Sequence, residues 1–139
     1  DSQPPLLRLE HVLVALIAGC VQSDDAMFSE RRPGWLPRAC EEIRASFRTG
    51  IRLHLLARSA GRHPVHFARV FRGHMGCSVG QYVQRLRIEA ACEALALTDD
   101  SIAAIAVSVG FYDQPQFSRA FRLRLGMTPG QFRLAAKGA

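Results

Sequence analysis

Between Ile43 and Ile88 the chain carries nine arginines (44, 48, 52, 58, 62, 69, 72, 85 and 87) and no acidic residue. Of the eighteen bases in its 139 residues, only Lys137 is lysine. A guanidinium is a planar fork of donors that matches phosphate oxygens and the O6/N7 edge of guanine, whereas an ammonium is a point charge. A charge run by itself is usually a solvated face, so the spacing has to carry the meaning. Val65, Ala68, Arg69 and Arg72 recur at i, i+3, i+4 and i+7, one stripe of a helix. Pro115, Ser118, Arg119 and Arg122 repeat that stripe fifty residues later. Small residues beside an arginine let a helix lie close to a groove while the guanidinium reaches a base edge or a phosphate. The competing role for Arg69 and Arg119 is an internal ion pair that braces the fold.

The two stripes belong to a repeat. Ala57, Ser59 and Gly61 align with Ala106, Ser108 and Gly110 at an offset of 49. After one inserted residue the match resumes at 50: Phe67, Arg69, Phe71 and Arg72 meet Phe117, Arg119, Phe121 and Arg122. Gly76, Gly80 and Gln81 then meet Gly126, Gly130 and Gln131. Each copy has the rhythm helix, glycine turn, helix. On each second helix Phe67, Val70 and Phe71, or Phe117, Ala120 and Phe121, form the apolar face opposite the stripe. Two such units let one chain touch two separated places on an extended partner.

Composition bounds the alternatives. A hydrophobic fraction of 48% is that of a globular chain, and no apolar run reaches the roughly 18 residues of a membrane span. The net charge of +6 is uneven: residues 1–42 sum to −3 and residues 43–139 to +9. Cys20, Cys40, Cys77 and Cys92 have no close spacing and read as reduced, partly buried thiols of a cytoplasmic protein. His63, His66, His74 and Cys77 make a poor zinc set, because the second copy has no counterparts. There are no paired carboxylates, no nucleophile–base pair and no phosphate-cradling loop, so neither catalysis nor a cofactor is expected. Val12 to Cys20 imitates a lipoprotein signal but lacks its basic start; it reads instead as an apolar helix, Leu6 to Val21.

The elements that must position the stripes follow from punctuation. Residues 22–34 read as a linker. Pro37 suits the first position of a helix closed by Gly50. Short helices are expected at about 52–60 and 64–72, broken by Gly73 and Gly76. Ser78 should cap a long helix, about 79–97, with Tyr82, Leu86, Ala90 and Leu95 on its apolar side. Asp99 or Asp100 should cap a helix at about 101–109, and Asp113 one at about 114–125; Pro129 opens the last. The chain is therefore all-α.

Gly110 to Arg122, Gly126-Met127-Thr128-Pro129 and Phe132-Arg133 resemble the signature of the AraC/XylS family of bacterial transcription regulators. Leu56-Ala57, Gly61, Phe67 to Phe71, Gly76, Ser78 and Tyr82 resemble the family's first helix-turn-helix, and Ser101 to Ala106 the entry to its second. The resemblance spans about residues 36–135. It implies seven helices in two helix-turn-helix subdomains joined by a long linker helix. The first motif would occupy about 51–73, the linker about 79–97 and the second about 101–125 of a DNA-binding domain at 35–139. Residues 1–34 would then be the remnant of an upstream effector or dimerisation domain, and the lack of an initiator Met suggests a fragment of a longer protein.

By residue-to-residue match, Val65, Ala68 and Arg69 face bases in one half-site, and Gln114, Gln116, Ser118 and Arg119 in the other. Arg62, Arg72, Arg122 and Arg133 suit phosphates, as do the helix N-termini after Ser78 and Thr128. His63 stands where the family often has a hydroxyl cap, so the first recognition helix is expected to start loosely. The implied function is sequence-specific binding of a double-stranded operator through two successive major-groove segments. The implied partners are RNA polymerase, an effector acting through the upstream domain, and a second copy held through residues 5–21. The alternative is a non-specific module that grips the DNA backbone or an acidic protein.

Overall fold

The computed structural model describes residues 32–138. Among these it has seven helices and no strand: α1 (Trp35–Ser46), α2 (Leu53–Ser59), α3 (Pro64–Met75), α4 (Val79–Leu97), α5 (Ile102–Ser108), α6 (Gln114–Leu125) and α7 (Pro129–Lys137). None of these is long and apolar enough to cross a membrane. The apolar segment 5–21 and most of the 22–34 linker lie outside the described residues.

Local chemistry accounts for the boundaries. The Ser78 and Thr128 hydroxyls accept from the backbone N–H of Gln81 and Gln131, whose side chains accept in return from the cap N–H groups, so α4 and α7 both start in capping boxes. Gly76 and Gly126 end α3 and α6 in the left-handed region, φ 74° and 73°, which glycine adopts without strain. Three boundaries depart from the sequence reading. α1 begins two residues before Pro37 and stops at Ser46, short of Gly50. Gly73 sits inside α3, because one glycine costs a helix only about 1 kcal/mol when packing holds both sides. Ser101, not Asp99 or Asp100, caps α5, its hydroxyl accepting from the Ala104 N–H at 3.1 Å.

There are two cores. The first gathers Leu36, Ile43, Leu56, Phe67, Phe71 and Tyr82. The second gathers Ile88, Leu95, Ile105, Phe117, Phe121 and Phe132. Only α4 belongs to both, with Tyr82, Val83 and Leu86 in one and Ile88, Ala91, Cys92 and Leu95 in the other. At about 100° per residue these two sets point in roughly opposite directions. The apolar stripe of α4 thus changes sides near Arg87. Leu95 is accordingly not on the Tyr82 side as the spacing suggested, and Ala90 is only half-buried.

The ring that covers the first phenylalanine comes from a different place in each copy. In the second unit Phe111 packs on Phe117 with ring centroids 5.3 Å apart. The backbone position matching Phe111 in the first unit is Arg62: their N–H groups donate to Ala106 O and Ala57 O respectively. The ring that covers Phe67 there is Trp35 from α1, stacked at 4.8 Å. The residue inserted in the second copy is Tyr112, 87% exposed at the turn.

Phe67 and Phe117 are fully buried, so Phe67→Ala and Phe117→Ala should each lower stability by about 3–5 kcal/mol in urea titration.

Candidate nucleic-acid interface

α3 and α6 are the second helices of the two repeats, each held from behind by a phenylalanine pair at 0% exposure: Phe67 and Phe71, Phe117 and Phe121. With those faces buried, the opposite stripes have to face solvent. Arg69 and Arg72 on α3, and Gln114, Gln116, Arg119 and Arg122 on α6, are exposed. Val65 is 61% exposed. Ala68 and Ser118 are half-buried between their arginines and the rest of the unit.

The bracing role weighed for Arg69 and Arg119 is not found among the described residues. The ion pairs there are Arg85–Glu89 at 3.5 Å and Lys137–Asp99 at 2.5 Å. Arg62, Arg69, Arg72, Arg119 and Arg122 have no carboxylate partner among the described residues.

The two helices start differently. Asp113 Oδ1 accepts from the Gln116 N–H at 2.9 Å, and Gln116 Oε1 accepts from the Tyr112 N–H at 2.9 Å. The Gln116 amide oxygen is therefore tied to the turn, and its NH2 group is the end that faces outward chemistry. α3 does not start uncapped: His63 Nδ1 accepts from the Val65 N–H at 3.2 Å. An imidazole nitrogen here does the work of the expected hydroxyl, one residue nearer the helix start.

The first turn of α4 lies between the two stripes. One groove, about 510 Å³, runs between α3 and α4 past Ala68, Arg72, Ser78, Gly80 and Gln84. A second, about 680 Å³, runs between α4 and α6 past Ser78, Gly80, Gln84, Ala120 and Leu123. Ser78 therefore stands near both recognition helices. So does the exposed Gln84, which the repeat does not single out because its counterpart at the same offset is Leu134. The end of α4 near Ser78 carries the positive pole of the helix and has no acidic residue in its first turn. Its negative pole is covered from α7: Arg133 donates to Leu95 O and Thr98 O, both at 3.3 Å, and Lys137 to Thr98 O at 2.5 Å. Arg133, expected at a phosphate, thus has two of its donors on this helix end. Thr128 stands apart at the head of α7; Pro129 next to it has no N–H, so that end has one donor fewer than the end after Ser78.

Burial sets the character of the described thiols. Cys40, Cys77 and Cys92 are buried and form no disulfide with one another. Burial raises Cys40 above the ordinary thiol range and pushes Cys92 up to about 12. Thiolates are the reactive form, so neither is a nucleophile near neutral pH. No three of the described His, Cys, Asp or Glu side chains gather in a metal-binding group.

Against known proteins, a family described as a helix-turn-helix domain matches residues 56–135. An HTH-type transcriptional regulator of Mycobacterium tuberculosis is 42% identical over 84 residues, which is 60% of this chain and 32% of that protein. The "Probable transcription factor PqrA" of Proteus vulgaris is 36% identical over 84 residues, 60% of this chain and 69% of that protein. The C-terminal domain of AraT, a response regulator from Geobacillus stearothermophilus, superposes with a TM-score of 0.69 at 30% identity, over 75% of this chain and 87% of that one. The chain thus spans about a third of the first of these relatives and about two thirds of the second.

Because Asp113 alone satisfies the Gln116 N–H, Asp113→Ala should cost about 1 kcal/mol, and Asp113→Ser should recover most of it. Urea titration of the three proteins checks this.

Proposed function

Since the chain belongs to the AraC-type helix-turn-helix family of transcription regulators, we propose that it reads a double-stranded operator with two heads, α3 and α6. The observation that carries this is the pair of matched helices, each with its phenylalanines buried and its arginine stripe exposed and without a carboxylate partner among the described residues. Exposed guanidiniums without carboxylate partners are costly neighbours for one another in a folded protein; a polyanion relieves them.

In this reading each head enters the major groove, and adjacent entries on one face of DNA lie about 34 Å apart. Val65 and Ala68 present only apolar surface, suited to thymine methyls, with Arg69 as the hydrogen-bonding reader of that half-site. Gln114, Gln116, Ser118 and Arg119 read the other half, where the Gln116 NH2 donates because its oxygen is engaged with Tyr112 N–H. Arg62, Arg72 and Arg122 bind phosphates, and the open N–H groups after Ser78 hold one between the heads. Thr128 serves the same purpose with a single open N–H. Arg133 acts first on the end of α4 and reaches phosphate only with its remaining donors. The module works without catalysis or cofactor, in the cytoplasm. Effector response and RNA polymerase contact would fall to segments outside this module, and dimerisation to residues 5–21.

Selection from a random duplex library should enrich two short blocks about one helical turn apart. Enrichment of nothing, with binding that only fades as salt rises, would favour the non-specific backbone module instead. On the enriched site Arg119→Ala should lose about 1–3 kcal/mol and relax one base position. Arg122→Ala should weaken selected and random duplexes alike and reduce the salt slope by about one. Identical behaviour of the two variants would remove Arg119 from the base-reading set.

A further inference from the structure

Two reading heads are useful only if their separation is fixed, and the fold fixes it in an unexpected way. The two cores share no buried residue; the chain joins them through α4, at the point where its apolar stripe changes sides. A helix alone leaves each unit free to rock on its own face. What stops this lies at the crossing point. Arg87 Nε donates to Phe47 O, at the C-terminal end of α1, at 2.9 Å. The same guanidinium lies 5.8 Å from the centre of the Phe111 ring, and Phe111 packs directly on Phe117 at the root of α6. One half-buried side chain therefore touches the first unit's α1, the shared helix and the second unit's aromatic stack.

The neighbouring contacts have the same form. Arg48 Nη1 donates to Ser108 O at 3.2 Å, from the end of α1 to the end of α5. Arg124 Nη2 donates to Gln81 O at 3.4 Å, from α6 to α4. Beneath Arg87, Gly110 has φ +111°, and a Cβ there would sit 3.0 Å from both Phe47 O and Arg48 O. The absence of a side chain is what lets the end of α1 seat on the turn of the second unit. Among the described residues, Arg87 has no carboxylate partner. Its charge is matched instead by the negative end of α1 and the face of Phe111.

We propose that Arg87 is a positioning residue that clasps the two units together and so sets which operator spacing the protein accepts. This rests on the two-headed reading above. A rigid joint gives the second head a high effective concentration at one spacing and almost none at others; a loose joint spreads it over several. Changing the spacer by two base pairs moves one half-site by about 7 Å and turns it by about 70°. A clasped pair of heads cannot follow that shift.

The test uses the full chain and the selected duplex with its two blocks kept and zero, one or two base pairs added or removed between them. Unaltered protein should discriminate by about tenfold or more against the two-base-pair changes. Arg87→Met, which keeps the reach but loses the donors, should bring that ratio to within about threefold. Arg48→Met, on an exposed part of the same clasp, should lower the ratio in the same direction and keeps the test open if Arg87→Met fails to fold. Arg87→Lys, which keeps a cationic donor for Phe47 O, should restore part of the ratio. A merely destabilised fold would lower the active fraction equally for every spacer and leave the ratio unchanged, and that result would overturn the proposal. So would equal weakening at every spacer with a salt slope reduced by about one, because Arg87 would then be a phosphate contact. If the unaltered protein shows no preferred spacing, the two-headed reading falls first and the clasp with it.

Discussion

One helix has to serve two cores. α4 gives Tyr82, Val83 and Leu86 to the first and Ile88, Ala91, Cys92 and Leu95 to the second, from roughly opposite faces. Everything else in the molecule is arranged around that division. Neither unit is large enough to supply a core from its own two short helices: α2 and α5 have seven residues each and bury two apiece. Each must borrow a face of α4, and since α4 has two ends and two faces, the units settle at opposite corners of it. The recognition helices inherit their placement from this, because Phe67 and Phe71 on one side, and Phe117 and Phe121 on the other, pin them to the cores that α4 organises.

The repeat is close in its helices, with one residue added at the second turn, and looser in what fills it. Both recognition helices end in a left-handed glycine and are followed by a capping box. Yet the aromatic cover over the first phenylalanine comes from within the turn in one unit, Phe111, and from a separate helix in the other, Trp35. The consequence is a functional asymmetry. Because Trp35 fills that seat in the first unit, the turn position equivalent to Phe111 is released to be Arg62, which is exposed and basic. In the second unit the same position is committed to the core, where Phe111 is available for Arg87 to lie against. One unit has a cation at its turn and the other an anchor for the clasp.

Much of this was written locally. The spans of α4 and α6 were legible to the residue, because Ser78, Asp113 and Gly126 are start and stop signals that act within one turn. The outward stripes of α3 and α6 were legible because their period is that of a helix. Misreadings occurred where two local signals competed. Asp99, Asp100 and Ser101 can all cap; the hydroxyl won, while Asp99 went to the Lys137 ammonium, which holds its carboxyl below the usual range. Gly73 looked like a stop because nothing in its neighbourhood reveals that α3 is held on both sides of it. The one-sided apolar face expected for α4 failed for a deeper reason: a stripe that switches sides averages to no stripe, and only knowing that there are two cores resolves it. The clasp was invisible. Its acceptors are backbone carbonyls, which every residue has, so no sequence pattern distinguishes Phe47 O or Ser108 O as partners.

The arginine run between Ile43 and Ile88 therefore divides by task. In the sequence it is nine cations with no acid among them, which by itself reads as a solvated face. In the fold, Arg85 lies 5.0 Å from the centre of the Tyr82 ring and pairs with Glu89. Arg87 holds α1 to the second unit, and Arg48 is tied to Ser108 O. Those three are engaged by the protein itself. Desolvation lowers Arg87 from its ordinary range, as expected of a charge held partly away from water. A guanidinium suits both tasks for one reason. Its planar fork makes directed bonds to an oxygen, and it tolerates partial burial and an aromatic face better than an ammonium does. At Arg87 an ammonium would be the poorer fit: it can donate to a carbonyl or a phosphate, but it lacks the plane by which a guanidinium bonds Phe47 O and also lies against the Phe111 ring. The charge that meets the nucleic acid is thus smaller than the charge in the sequence, and counting bases overstates the number of phosphates such a chain can neutralise.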